Sequence, residues 1–164
     1  MIVRAIAITG GRDVHPSTAS LRSFASLVQA TRAALVVHGD CMTGVDQVVA
    51  EYLVRTTDVA VEGWPADWKR YRRRAGPRRN KLMLEQDRRE WGGENRETLV
   101  DLLVAWPGGV GTADCTESAH RLGILVLPVD RIAADVLRGD KWTHQQVIDR
   151  LDGLRKRQVG VFAC

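Results

Sequence analysis

Long apolar runs are missing from this chain of 164 residues. No stretch approaches the roughly 18 to 20 apolar residues that a membrane-spanning helix needs, so no membrane partner is expected. The start, Met1 to Thr9, has only Arg4 before a short apolar stretch and nothing that resembles a signal-cleavage site, which gives the expectation of a cytoplasmic protein. Cysteine is also scarce. Cys41, Cys115 and Cys164 stand singly, an odd number without paired metal-type spacing, and this argues against a disulfide framework. There is no internal repeat, low-complexity tract or convincing linker. What is present, 45% apolar and 27% charged residues, excludes disorder, and the length suits one ordinary domain with a short appendage rather than two full domains.

Charge is unevenly placed. The formal balance is +4, from 24 Lys and Arg against 20 Asp and Glu. Between Trp68 and Lys81 stand eight basic residues and no acid: Lys69, Arg70, Arg72, Arg73, Arg74, Arg78, Arg79 and Lys81. Without those eight, 16 basic residues face 20 acidic ones, a balance of −4. Such a local excess points to a place where anions bind, or to a solvated basic turn.

Strand and helix signals alternate along the first 130 residues. Ile2 to Ile8 reads as a buried strand ending in the tight loop Gly10-Gly11-Arg12-Asp13. Ser17 can cap a helix whose face carries Leu21, Phe24 and Val28. Ala34 to His38 is a second strand, followed by a helix bearing Val45, Val48, Val49, Tyr52 and Leu53. Val59 to Trp64 is a weaker third strand, with a helix predicted from about Pro77 to Arg89 that Trp91 to Asn95 breaks. Leu99 to Trp106, the helix Thr112 to Leu122 and the strand Ile124 to Pro128 complete the pattern. Beyond it, Ile132 to Leu137 looks like a helical turn, about Thr143 to Lys156 an amphipathic helix, and Val159 to Phe162 an edge strand.

This order predicts an α/β fold: one three-layer domain with a mainly parallel sheet over residues 1–130, and a helical C-terminal extension over residues 131–164 packed on or between such domains. In such sheets the ligand crevice lies at the carboxyl ends of the strands, where three glycine-bearing loops should gather. A homodimer or higher oligomer would cover the apolar face of the last amphipathic helix, unless the chain's own sheet does so.

Pro107-Gly108-Gly109-Val110-Gly111-Thr112 is the sharpest local signal. Glycines between a buried strand and a helix let backbone N–H groups approach a phosphate, the helix start adds partial positive charge, and Thr112 offers a hydroxyl. The loop is neither the dinucleotide G-x-G-x-x-G nor the G-x-x-x-x-G-K-[ST] phosphate loop, which counts against hydride transfer and ATP hydrolysis. Gly10-Gly11-Arg12 supplies a second accessible turn with a guanidinium able to hold a phosphate bidentately. In the third loop, His38 and Gly39 lead towards Asp46, which can cap a helix or bind ribose hydroxyls. His38, Asp40, Cys41 and Asp46 match no zinc spacing, and neither a metal nor a cofactor is expected.

Five motifs in order carry a family resemblance: Thr9-Gly10-Gly11-Arg12-Asp13; His38-Gly39 with Gly44 and Asp46; Pro65-Ala66-Asp67-Trp68; Ala75-Gly76-Pro77-Arg78-Arg79-Asn80 with Met83-Leu84; and Pro107 to Asp114. Over about residues 1 to 130 the chain resembles the YspA-like proteins of the SLOG superfamily, named for the DNA-processing protein DprA and the cytokinin-activating LOG enzymes. The resemblance implies a Rossmann-like sheet whose glycine loops bind a nucleotide or nucleotide-derived ligand. It also implies a choice of uses, since LOG enzymes cleave the N-glycosidic bond of nucleoside 5′-monophosphates, other SLOG domains sense ADP-ribose-type signals, and DprA binds single-stranded DNA.

LOG-like enzymes carry a catalytic Glu three residues after the loop Thr. That position is Cys115 here, and the nearest carboxylates are Asp114 and, one turn on, Glu117. An oxocarbenium-like transition state needs a suitably pointed acid, so Asp114 and Glu117 are the candidate catalytic residues. Arg78, Arg79 and Asn80 occupy the place where LOG-like enzymes use a basic helix start, with Asn80 able to read a base edge and the arginines to neutralise phosphate. Trp64 and Trp68 frame the basic segment and could stack on a base. The expected partner is a small phosphorylated nucleotide ligand; N-glycosidic hydrolysis ranks second and nucleic acid, as single-stranded DNA, third.

Overall fold

The structure, a computed structural model, describes residues 1–89, 93–94, 100–138 and 141–161. Five strands, β1 (Ala5–Thr9), β2 (Leu35–His38), β3 (Ala60–Gly63), β4 (Leu102–Ala105) and β5 (Leu125–Pro128), form one sheet in the order β3-β2-β1-β4-β5. Every pairing is parallel, with Ala5 opposite Leu35, Ile6 opposite Leu102, Leu35 opposite Ala60 and Leu102 opposite Leu125. The central strand β1 is buried at all five positions. Strands covered on both faces have no solvent side to supply with polar residues, and AIAIT and LLVA read accordingly.

Side-chain alternation sends Ile6, Ile8, Val36, Leu102 and Val104 to one face and Ala5, Ala7, Leu35, Val37 and Leu103 to the other. The first face packs against α1 (Thr18–Thr31), α2 (Val45–Thr56) and α6 (His144–Val161). The second packs against α4 (Ala75–Glu85) and α5 (Val110–Arg121). Ser17 caps α1 as predicted, accepting from the Ser20 N–H at 3.1 Å. Phe24 then meets Trp106 edge-on, ring centroids 5.3 Å apart, which ties α1 to the end of β4.

Three expectations change. The helix predicted over Pro77 to Arg89 begins at Ala75 and stops at Glu85, because Gln86 turns left-handed (φ 55°) and folds its amide back onto the Met83 carbonyl at 2.7 Å. Trp91, Gly92, Asn95 and Leu99 lie outside the described residues. The basic segment before that helix is itself structured, as α3 (Trp68–Tyr71) and a 3-10 turn, Arg72–Arg74. The edge strand predicted for Val159 to Phe162 is absent: α6 continues to Val161, and Phe162 lies outside the described residues.

Helical continuation lets Gln158 reach the outer edge of β5, where its Oε1 accepts from the Val126 N–H at 3.0 Å and its Nε2 donates to the Ile124 carbonyl at 3.0 Å. A side-chain amide thus occupies the position of a sixth strand. Ile132 to Val136 forms a single π-helical turn. The apolar face of α6, Val147, Ile148 and Leu151, is covered by the chain's own core.

Candidate functional site: a cavity at the sheet's switch point

From β1 the chain proceeds to β2 on one side, and later enters β4 on the other, so the loops after β1 and β4 diverge to opposite faces of the sheet. A crevice opens at such a switch point. Here it is a cavity of about 640 Å³ lined by the loops after β1, β2 and β4 and by the starts of α3, α4 and α5. The glycine loops are locked together by backbone contact. Gly11 N–H donates to the Pro107 carbonyl at 2.9 Å, and Val45 N–H to the Gly11 carbonyl at 3.2 Å. Gly44 must be glycine twice over: its φ is +72°, and a β carbon there would collide with the Gly11 and Arg12 carbonyl groups.

Of the residues singled out in the sequence, Gly10, Gly11, Arg12, Gly39, Asp46, Arg79, Asn80, Gly108, Gly109, Gly111, Thr112 and Asp114 all line the cavity. Pro107 contributes only its carbonyl, to Gly11. His38 sits buried behind the wall, its Nδ1 accepting from the Asp40 N–H at 3.1 Å. Burial lowers the His38 pKa below its ordinary value, against the opposing pull of Asp46 and Asp40. Arg78 turns away to lie over the Tyr71 ring, 4.7 Å from its centroid. Glu117 faces outward and pairs with Arg121 at 2.8 Å. Trp64 is buried, with the Arg88 guanidinium 5.1 Å from its ring centroid, whereas Trp68 lines the cavity.

Several roles differ from those expected. Asp46 does not cap α2, whose cap residue is Gly44; its Oδ2 instead accepts from the Cys41 N–H at 3.2 Å and closes the loop after β2. Arg79 is buried, its Nη1 donating to the Gly39 carbonyl and, at 3.0 Å, to the Trp64 carbonyl, while Nε donates to Asn80 Oδ1 at 3.1 Å. Its charge is thus spent fastening the ends of β2 and β3 to α4. Asn80 passes the chain on, its Nδ2 donating to Asp114 Oδ2 at 2.9 Å and the Gly111 carbonyl at 3.3 Å. An amide so occupied holds Asp114 in place and has little left for reading a base edge.

Cys115, at the position of the LOG-type Glu, points into the second core cluster beneath the sheet. Burial pushes its thiol up to about 12, despite a hydrogen bond from Thr9 that acts the other way. It is therefore no nucleophile. The cavity's charged and polar lining comes from Arg12, Arg73, the opening turn of α5 and the carboxylates Asp13, Asp46 and Asp114, the last two already accepting from Cys41 and Asn80. In the sequence Arg73 is one of eight cations with nothing to single it out; the 3-10 turn that brings it to the cavity wall has no sequence signal of its own. Among the described residues, no group of three or more His, Cys, Asp or Glu side chains is arranged to hold a metal ion.

Fold and cavity together define an α/β protein with a Rossmann-like, doubly wound parallel sheet and a crevice at its switch point. No family model and no curated protein matches the chain. Among solved structures it is similar to the X-ray structure of TM1055, a Northeast Structural Genomics Consortium target, with a TM-score of 0.54 over 92% of this chain and 99% of that one, at 18% identity. That likeness is one of fold.

Proposed function

We propose that the cavity binds a phosphorylated nucleotide or nucleotide-derived ligand, a nucleoside monophosphate or an ADP-ribose, NAD or signalling-nucleotide type of molecule. The observation that carries this reading is the convergence of three glycine loops and two unburied arginines, Arg12 and Arg73, on one cavity whose about 640 Å³ suits a ligand of that size. The first N–H groups of a helix have no partner within it, and those of α5 open beside Gly109. The SLOG resemblance supports the same ligand class through the same loops.

Gly109 offers a clean test. A β carbon there meets nothing within 4 Å, and Asp is a favoured residue at a helix start, so Gly109→Asp leaves the fold intact while filling the anion position with a carboxylate. Thermal unfolding of the wild type should shift upward with AMP, ADP-ribose, NAD or a cyclic nucleotide, and the shift should vanish in Gly109→Asp. No shift from any nucleotide contradicts the proposal.

One observation favours a second reading, phosphoribohydrolase activity on a nucleoside 5′-monophosphate. Asp114 lines the cavity and is oriented by Asn80, the placement an acid needs to act on a glycosidic bond. Release of free base by the wild type, lost in Asp114→Asn and kept in Glu117→Gln, supports it; no base release from any nucleoside monophosphate excludes it. The single-stranded DNA reading finds less support, because the eight cations do not share a track: Arg79 is buried, and Arg70 and Arg78 both flank Tyr71.

A further inference from the structure

The two tryptophans that frame the basic segment have different fates. Trp64 is 3% exposed and belongs to the core, while Trp68 is 49% exposed on the cavity wall. The indole is carried on a fixed support: Asp67 caps α3, its Oδ1 accepting from the Arg70 N–H at 3.0 Å. Gly76 lies at the edge of the ring, where a β carbon would stand 3.4 Å from Cη2. Over the ring stands the Arg12 guanidinium, 5.7 Å from its centroid, delivered from the loop after β1. A half-exposed aromatic surface is thus held on the cavity wall, with a guanidinium that lines the same cavity standing over it.

We infer that Trp68 is the wall on which the planar heteroaromatic base of the ligand stacks, and that Arg12 leaves the ring for the ligand's phosphate when the base arrives. This rests on the nucleotide reading above and adds to it where the base lies. The exchange is chemically favourable. A guanidinium forms stronger, bidentate, charge-assisted bonds with a phosphate than it forms contacts with an exposed ring face. The face it vacates is then free, and stacking on an indole tolerates any base because every base has a π-face. Trp68 therefore selects nucleotides over sugar phosphates without choosing among bases.

Isothermal titration separates the outcomes. The probes are AMP, GMP, CMP and UMP, with ribose 5-phosphate as the same phosphate and sugar without a base. The wild type should bind at least one nucleotide more tightly than ribose 5-phosphate. Trp68→Ala should weaken that nucleotide between about 5-fold and about 140-fold and leave ribose 5-phosphate unchanged, and Trp68→Phe should restore most of the loss. Arg12→Gln should weaken both ligands alike. If Trp68→Ala binds nucleotide as the wild type does, or weakens both ligands equally, the stacking wall is wrong while the nucleotide reading stands. If Arg12→Gln changes neither, the exchange is wrong. If the wild type binds no probe, both the inference and the reading beneath it fall.

Discussion

Adjacent glycines in the loop after β4 serve different ends. A β carbon on Gly108 would collide with Thr112 Oγ1 and lie 2.8 Å from the Gly11 nitrogen, whereas one on Gly109 would meet nothing. Gly108→Ala is therefore expected to destabilise the fold by roughly 1–3 kcal/mol in denaturant unfolding, through forced separation of the two loops, and Gly109→Ala to leave stability near wild type. Two buried groups, His38 and Cys115, make stability depend on pH. His38 has a lowered pKa in the folded state, so below about 6.5 the unfolded chain binds the proton more readily and stability falls as pH falls. Cys115 is the reverse. Its thiol is raised from 9.0 to about 12, so stability is full below pH 9 and is lost as pH rises between those values. Unfolding curves of His38→Asn and Cys115→Ala should lose the acid and alkaline slopes respectively; unchanged slopes would show that other groups cause them. At this scale the sequence reveals most of the cavity, because glycines after strands and a Pro-Gly-Gly-x-Gly-Thr loop are local signals. Arg73 and the partners of Arg79 and Asn80 are not, since they depend on which carbonyls the fold brings near.

Elements were legible wherever apolar periodicity and capping agree, as at Ser17 and α1. Pattern fails where a single side chain overrides it. Gln86 ends α4 although Gln carries no strong stop signal, and Gln158 keeps the last residues helical although Val159 and Val161 favour strand. By bonding Val126 N–H and the Ile124 carbonyl, Gln158 satisfies an edge that would otherwise offer unpaired backbone to another chain, and Pro128, which has no N–H, ends that edge. Gln158→Ala should cost about 1–2 kcal/mol. It should also increase concentration-dependent self-association in sedimentation, and an unaltered sedimentation profile would argue that α6 alone covers the edge. Arg79 is the comparable tie on the other side of the sheet. Arg79→Met leaves the Gly39 and Trp64 carbonyls without their donor and should destabilise by at least about 2 kcal/mol in denaturant unfolding.

For the molecule as a whole, alternation of strands and helices implies a parallel sheet but not its strand order. The order β3-β2-β1-β4-β5 makes neighbours of the three strands that the glycine loops follow, β2, β1 and β4, and that adjacency turns separate loop signals into one cavity. Charge shows the opposite relation between sequence and fold. Eight cations consecutive enough to suggest one anion-binding wall separate in space, and of them Arg73 and Arg79 line the cavity, the latter bonded to backbone carbonyls. Arg12, from a distant loop, joins Arg73 there. The local basic excess is thus only partly a ligand wall, and the start of α5, where helix N–H groups lack helical partners, faces the same cavity. Amide NMR of this 18.2 kDa chain, titrated with AMP and ADP-ribose, tests the central proposal most directly. The expected result is perturbation centred on Gly11, Arg12 and Gly109 to Thr112, with Arg32 and Thr57 at the far end of the sheet unmoved. Amides that stay in place throughout, or that shift only away from the glycine loops, would contradict it.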